Sequence, residues 1–473
     1  MNRKEFLLRA AGSAAAIGAG NNNPAAGDIP PLPPRSRSSP EPATTITLSV
    51  DMARPIGTSR LEVGITHTQH GLDVAGDPRA VERAKRLLAA ATRYHNVHLM
   101  GWGTMNPNPA PGVYDWESLD RRLDMVRSIP GAVPVFTLCA APDWMKGGES
   151  GKTDWSRIEV APRPEHYQDF ADLAATVARR YPHVKHFQVW NEMKGLWKPS
   201  TNNWDYENYT RLYNRCYDAL KKVNPQIQMG GLYLVIEGTG SGKDATWATE
   251  APIRARQWDV ISYWLKNKRG ADFICLDRAI RTFQDHNTYT PAEQIALTQH
   301  FGRVARQVRQ KTNLPIWWSE YYGGGGSDKD GDPQFNAALH ACILRHMLLG
   351  GSSVALLWNG IDTGEVSHAL VSDTRRVGGA RPLPYYRVFK AFHDHFGPGT
   401  RLYAATTGSS PDHLSGVEAL ASDKQILLIN TRDKPVAVSV RVNGRGCGRS
   451  GATPYVPMPS HALAAWEVRL ASL

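Results

Sequence analysis

From residue 60 to 395 the chain repeats one pattern: a short apolar stretch, a polar break, then a segment with apolar residues at helical spacing. This alternation constrains the fold more than any other feature. Strands separated by helices pair in parallel, because a parallel neighbour needs a long crossover and that crossover has one hand. Eight stretches read as strands: "RLEVGITHT", "HNVHLMGWG", "AVPVFTLCAAPDWM", "VKHFQVW", "QIQMGGLYLVI", "ADFICLD", "LPIWWSE" and "GSSVALLWNG". Eight such units predict an α/β chain with a (β/α)8 TIM barrel, a fold of about 250 residues that tolerates long insertions. A doubly wound parallel sheet is the alternative. It would normally carry a glycine-rich phosphate loop, and neither G-x-G-x-x-G nor a Walker pattern occurs. "GTGSGKD" comes nearest, but it lacks the first glycine and has Asp244 where Ser or Thr is needed.

The helices carry their own signals. In "GDPRAVERAKRLLAAA", Asp77 is placed to cap, Pro78 suits the first turn, and Val81, Ala84 and Leu88 share a face. Leu119, Leu123 and Val126 form the buried stripe of the next helix. Phe170, Leu173 and Val177 do the same in the one stopped by Pro182.

Both ends of the chain change character. Beyond residue 396, short strands are split by polar turns, and Val436, Val438, Val440 and Val442 alternate strictly, which predicts a small antiparallel β-sandwich over 397–473. Residues 44–58 begin with "TTITLSVDM", of the same period, and are expected to join that sandwich, leaving 59–396 as the barrel. Residues 1–43 read as an export leader and a Pro/Ser-rich tether. "NRKEFLLR" resembles a twin-arginine signal with Lys4 in place of the second arginine, so export to the periplasm or cell exterior is expected.

With 41% hydrophobic and 21% charged residues and a mean hydropathy of −0.40, the composition is that of a globular protein. No later run of 18 apolar residues suggests a membrane span. The net charge of +11 raises the question of a polyanionic partner. The basic residues, however, interleave with apolar ones along helices, as in "FGRVARQVRQK", and read as solvated faces rather than a nucleic-acid stripe. Five scattered cysteines without C-x-x-C spacing argue against a zinc site or a disulfide scaffold, and leave room for one or two bridges.

Chemistry is expected where strands end, because a barrel gathers its functional side chains at the C-terminal mouth. "HFQVWNEMKG" ends an apolar run at Glu192, and "LPIWWSEYYGGGG" ends another at Glu320. A buried lone carboxylate is costly, so each glutamate is either a solvated or salt-bridged strand end or a group facing a pocket. Strands four and seven lie across the mouth from each other. Two carboxylates aimed at one cavity are what glycoside hydrolysis needs, one to protonate the leaving oxygen and one to attack the anomeric carbon.

Asn191-Glu192 after Trp190, and Ser319-Glu320 closing strand seven, resemble the clan A retaining glycosidases. With "GITHTQ", "YDWESLDRRLDMV" and the barrel-plus-sandwich layout, the chain from 44 to 473 is similar to glycoside hydrolase family 39, home of β-xylosidases and α-L-iduronidases. The resemblance implies that Glu192 is the acid/base, Glu320 the nucleophile, and Asn191 the partner of the sugar 2-hydroxyl. It implies an exo-acting, β-xylosidase-like enzyme on glycosides or oligosaccharides, with no metal or cofactor. Glu192 would then hold its proton near neutral pH, helped by an apolar wall, while Glu320 stays ionised. His67 and Gln69 on strand one and His98 on strand two are candidates for sugar hydroxyls; a lone histidine also fits a satisfied core position. Trp102, Trp144 and Trp358 at strand ends offer rings for stacking, although many of the fourteen tryptophans must pack the core. The "YYGGGG" loop would close on substrate or be plainly flexible. Clan members carry His or Tyr at the end of strand six to hold the nucleophile, whereas this chain offers Asp277. The competing class is an inactive carbohydrate- or polyanion-binding barrel, against which the presence of both glutamates counts.

Overall fold

Eight parallel strands close into a barrel in chain order: Glu62–Thr66, Tyr94–His98, Val133–Leu138, His186–Val189, Gln228–Val235, Phe273–Ala279, Ile316–Tyr322 and Val354–Trp358. They are called strands one to eight below. The computed structural model describes residues 44–68, 70–236, 253–280, 289–323, 332–362, 368–407, 415–443 and 456–473. The expected leader and tether lie outside these residues, as do Gln69, Cys447, Asp244 and most of the "GGGG" loop.

The expected helices form where their caps and stripes place them. Asp77 accepts from the Ala80 amide with Pro78 following, and Ala84 and Leu88 are buried while Val81 packs at the edge. Leu119, Leu123, Val126, Phe170, Leu173 and Val177 are all buried.

Period-two alternation sorts the strand residues into an outer and an inner set. Outward-facing Val97, Phe136, Phe187 and Leu276 meet the helices in the main core. The inner set stacks in layers. At the bottom, Val135, Phe273, Trp317, Val354 and Leu356 pack together, with the Phe273 and Trp317 rings 4.0 Å apart. Gly230 makes that possible, since a Cβ there would strike the Phe273 ring. Above lies a polar layer. Asn96 Nδ2 donates to Thr66 (3.2 Å), Thr137 Oγ1 to Asn96 (2.8 Å), Gln188 Nε2 to Thr137 (2.9 Å), and the Ser319 hydroxyl to Gln188 Oε1. All five side chains are fully buried, and the network satisfies their polar atoms.

A second, eight-stranded sheet follows the path Val456–Pro457, Val436–Asn443, Thr44–Thr58, Arg401–Thr406, Val417–Ser422, Gln425–Asn430 and Val468–Ser472, with His461–Leu463 also on Val436–Asn443. It encloses its own core of Leu48, Val50, Val417, Leu428 and the four alternating valines 436, 438, 440 and 442. One pair departs from antiparallel order: Thr44–Thr58 runs parallel to Val436–Asn443, because it enters from the far end of the chain. The helix Pro333–Leu349 lies between barrel and sheet. Its Arg345 donates to the Ala419 carbonyl (2.7 Å) and pairs with buried Glu418 (3.3 Å), which His346 also meets at 3.3 Å. The neighbouring His346 and Arg345 hold the Glu418 carboxyl down at about 2 against the opposing effect of burial.

Candidate active site

Above the polar layer the strand ends bring Glu192, Asp277 and Glu320 together, with one carboxylate oxygen of each within 4.8 Å of the others. Strand six delivers Asp277 by plain alternation after Phe273 and Cys275. Strand seven does not. Its register slips between Trp318 and Glu320, a β-bulge that lets Ser319 reach Gln188 while Glu320 also faces the mouth. Strand five has a second bulge between Leu232 and Leu234, which turns Tyr233 inward with left-handed backbone (φ 43°). The Tyr233 hydroxyl donates to Glu320 Oε2 at 3.2 Å. Burial, with the charges of Glu320 and Asp277 beside it, drives this phenol well above its usual range, so it remains a donor. Strand five therefore supplies the tyrosine partner of Glu320 that strand six lacks.

Glu192 arrives by a different route. After strand four the backbone turns left-handed at Trp190 (φ 68°), Glu192 (φ 49°) and Met193 (φ 51°). Such conformations cost roughly 1–3 kcal/mol each and persist only when the surroundings impose them. Here Trp190 donates to the Lys194 carbonyl (2.9 Å) and Lys194 N to the Asn191 carbonyl (3.0 Å), closing the turn. The turn carries Lys194 back over the site. Its ammonium pairs with the Glu192 carboxylate, donates to Asn191 Oδ1 at 2.7 Å and lies 5.7 Å from the centre of the Trp102 ring. The wall around Glu192 is thus not simply apolar, as the sequence suggested, because a buried cation faces it. Among the described residues the three carboxylates are the one set spaced to hold a metal ion, and Lys194 already neutralises part of it.

One side of the mouth is aromatic. His98, Trp102 and Trp358 meet at ring separations of 4.7, 5.7 and 6.1 Å. His98 is buried, neither ring nitrogen has a protein partner, and burial pushes it down to about 3, with Lys194 and Arg122 adding to the effect. It is neutral at ordinary pH. The Asn191 side-chain nitrogen is likewise buried and faces the Tyr233 hydroxyl without a close hydrogen bond. Arg122 secures this corner by pairing with Asp73 (2.8 Å) and donating to the carbonyls of His67 (3.1 Å) and Gly103 (3.0 Å).

Two expected sugar contacts have protein partners of their own. Thr66 takes the last inward position of strand one, so His67 turns away, bonds His95 at 3.0 Å and stacks on its ring. Trp144 sits on the loop after strand three, tied to the Asn108 carbonyl (3.0 Å) and set edge-on to His166. Gln69 is not among the described residues. The sequence pattern does not single out Tyr233, Lys194 or Arg122. Lys194 was readable from its place two residues after Glu192, but Tyr233 was hidden by the bulge.

Residues 94–356, more than half of the chain, match the family Glycosyl hydrolases family 39. No curated protein matches the sequence. Among solved structures, a conserved exported protein from Bacteroides fragilis aligns at a TM-score of 0.62 with 12% identity, covering 90% of this chain and 100% of its own. A monomeric beta-xylosidase from Caulobacter crescentus CB15 aligns at 0.57 with 16% identity, covering 90% and 97%. The GH39 enzyme from Xanthomonas axonopodis pv. citri aligns at 0.55 with 17% identity, covering 94% and 97%. These three likenesses concern the fold.

Proposed function

This chain belongs to glycosyl hydrolases family 39 and is a glycoside hydrolase; from that premise we propose that it cleaves glycosides by double displacement, with Glu320 as nucleophile and Glu192 as acid/base. The observation that carries the reading is the approach of the two carboxylates to within 4.8 Å at the barrel mouth. Retaining enzymes hold this pair about 5–5.5 Å apart, whereas inverting ones leave roughly 6.5–9.5 Å for a water. Glu320, ionised and steadied by Tyr233, attacks the anomeric carbon while Glu192 gives its proton to the leaving oxygen. Water then enters, activated by the same Glu192. Asn191 offers its side-chain nitrogen to the sugar 2-hydroxyl, a contact that strengthens as positive charge develops at C1. Trp102 and Trp358 face the apolar side of the ring.

The finer reading is an exo-acting, β-xylosidase-like enzyme that is exported, its catalytic unit spanning 59–396 beside a second unit of 44–58 and 397–473. The leader-like N-terminus supports export, as does the likeness to a protein described as exported. The likeness to a beta-xylosidase supports the sugar. The test is proton NMR of the first anomer released from aryl glycosides, screened over pentosides, hexosides and uronides. Net retention on a pentoside is expected, and an inverted first product would end the double-displacement reading.

A further inference from the structure

Lys194 has a place in the site that the two-carboxylate mechanism does not call for. Its side chain is only 8% exposed, and its ammonium is shared between the Glu192 carboxylate, the Asn191 oxygen and the Trp102 face. Long cationic side chains usually extend to water, so a buried ammonium needs compensation. Here the compensation is the group that must act as acid. We propose that Lys194 is a positioning residue for the acid/base step: it holds Glu192 in line with Asn191 and, through its charge, sets the upper pH limit of turnover. The inference rests on the assignment of Glu192 as acid/base.

The groups facing Glu192 pull in opposite directions. Lys194, from the same turn, favours the ionised form. Asp277 from strand six and Glu320 from strand seven lie within 4.8 Å and favour the protonated form. Tyr233 from strand five is a neutral donor to Glu320, and His98 from strand two is neutral. Glycosyl transfer to Glu320 needs Glu192 protonated, and hydrolysis of the intermediate needs it ionised. The lysine therefore eases the second step and confines the first to lower pH. Without it, three carboxylates crowd one another and Glu192 keeps its proton to higher pH.

The experiment is the pH profile of kcat/KM on an aryl glycoside for wild type, Lys194→Met, Lys194→Arg and Glu192→Gln, with Tm measured for each. In Lys194→Met the alkaline limb should move upward by about one pH unit or more, while Lys194→Arg stays within a few tenths. Should Lys194→Met fail to fold, Lys194→Gln, which can still donate to Asn191, takes its place. An alkaline limb that does not move, with a uniform drop in kcat/KM, would reduce Lys194 to a packing role and overturn the proposal. Glu192→Gln separates the two readings. If it keeps the wild-type limb, Glu192 is not the acid and both ideas fall. If it loses the limb while Lys194→Met leaves it in place, only the lysine assignment falls.

Discussion

The barrel and the second sheet obey the same alternation, yet they put opposite materials inside. In the sheet the inward positions are valines and leucines around a dry core. In the barrel the inward positions above Trp317 are Thr66, Asn96, Thr137, Gln188 and Ser319, hydrogen-bonded in a chain. Left-handed non-glycine residues gather at the barrel mouth, at Trp102, Trp190, Glu192, Met193, Leu232, Tyr233 and Asn359, whereas in the second sheet region Trp466 alone adopts this conformation among the described residues. Strain and buried polarity are expensive, and they are concentrated where chemistry is done. The contrast teaches that the period of a pattern tells which face is buried. What the buried face is for depends on which residues occupy it.

The comparison breaks most sharply at Glu320. Glu320→Ala should lower turnover of an aryl glycoside by about 10^4-fold or more with little change in Tm, and azide or formate should restore part of it with inverted configuration. Unimpaired turnover would remove Glu320 from the mechanism. The next largest effect is that of acid. His95 and His98 are driven by burial to about 3, and His186 and His368 to about 4. Because these folded values lie below the ordinary 6.5, their contribution is complete above that pH and is lost as the pH falls toward 3–4. Glu418, at about 2 against an ordinary 4.5, keeps its contribution until the pH drops below 4.5 and loses it toward 2. Hydrogen exchange between pH 6.5 and 4.5 should therefore loosen the barrel strands before Gln425–Asn430. Simultaneous loss would contradict this ordering.

Matched core changes sharpen the contrast further. Gln188→Leu takes the acceptor of the Ser319 hydroxyl and one of the two partners of the Thr137 hydroxyl, which keeps Asn96, and denaturant titration should show a loss of about 2–4 kcal/mol. It should also reduce kcat/KM, since Ser319 adjoins Glu320. Val438→Ala in the sheet should cost roughly 2 kcal/mol and leave kcat/KM unchanged. The smallest effect belongs to Tyr233→Phe, which removes one donor to Glu320 and should lower kcat about tenfold with Tm held. A larger stability loss than activity loss there would make the tyrosine a packing residue.

Much of this arrangement was legible in the chain. The eight apolar stretches, the Asp77 cap and the valine ladder at 436–442 rest on local periodicity and turn chemistry, and each forms as read. The two glutamates were visible as strand ends. The orientation of His67 is not legible, because inward and outward positions at a strand end differ by one residue and Thr66 takes the inward one. Tyr233 was invisible because a bulge adds a residue without disturbing composition or hydropathy.

By itself, then, the sequence determined the kind of layers this protein builds and the ends at which its acids emerge, since those follow from spacing along one segment. Only the tertiary structure decided that Asp277 joins Glu192 and Glu320, that Tyr233 holds Glu320 from strand five, and that Lys194 folds back onto Glu192. Bulges and left-handed turns set those meetings. They are fixed by neighbouring strands and packed rings far away in the chain, where no local pattern reaches.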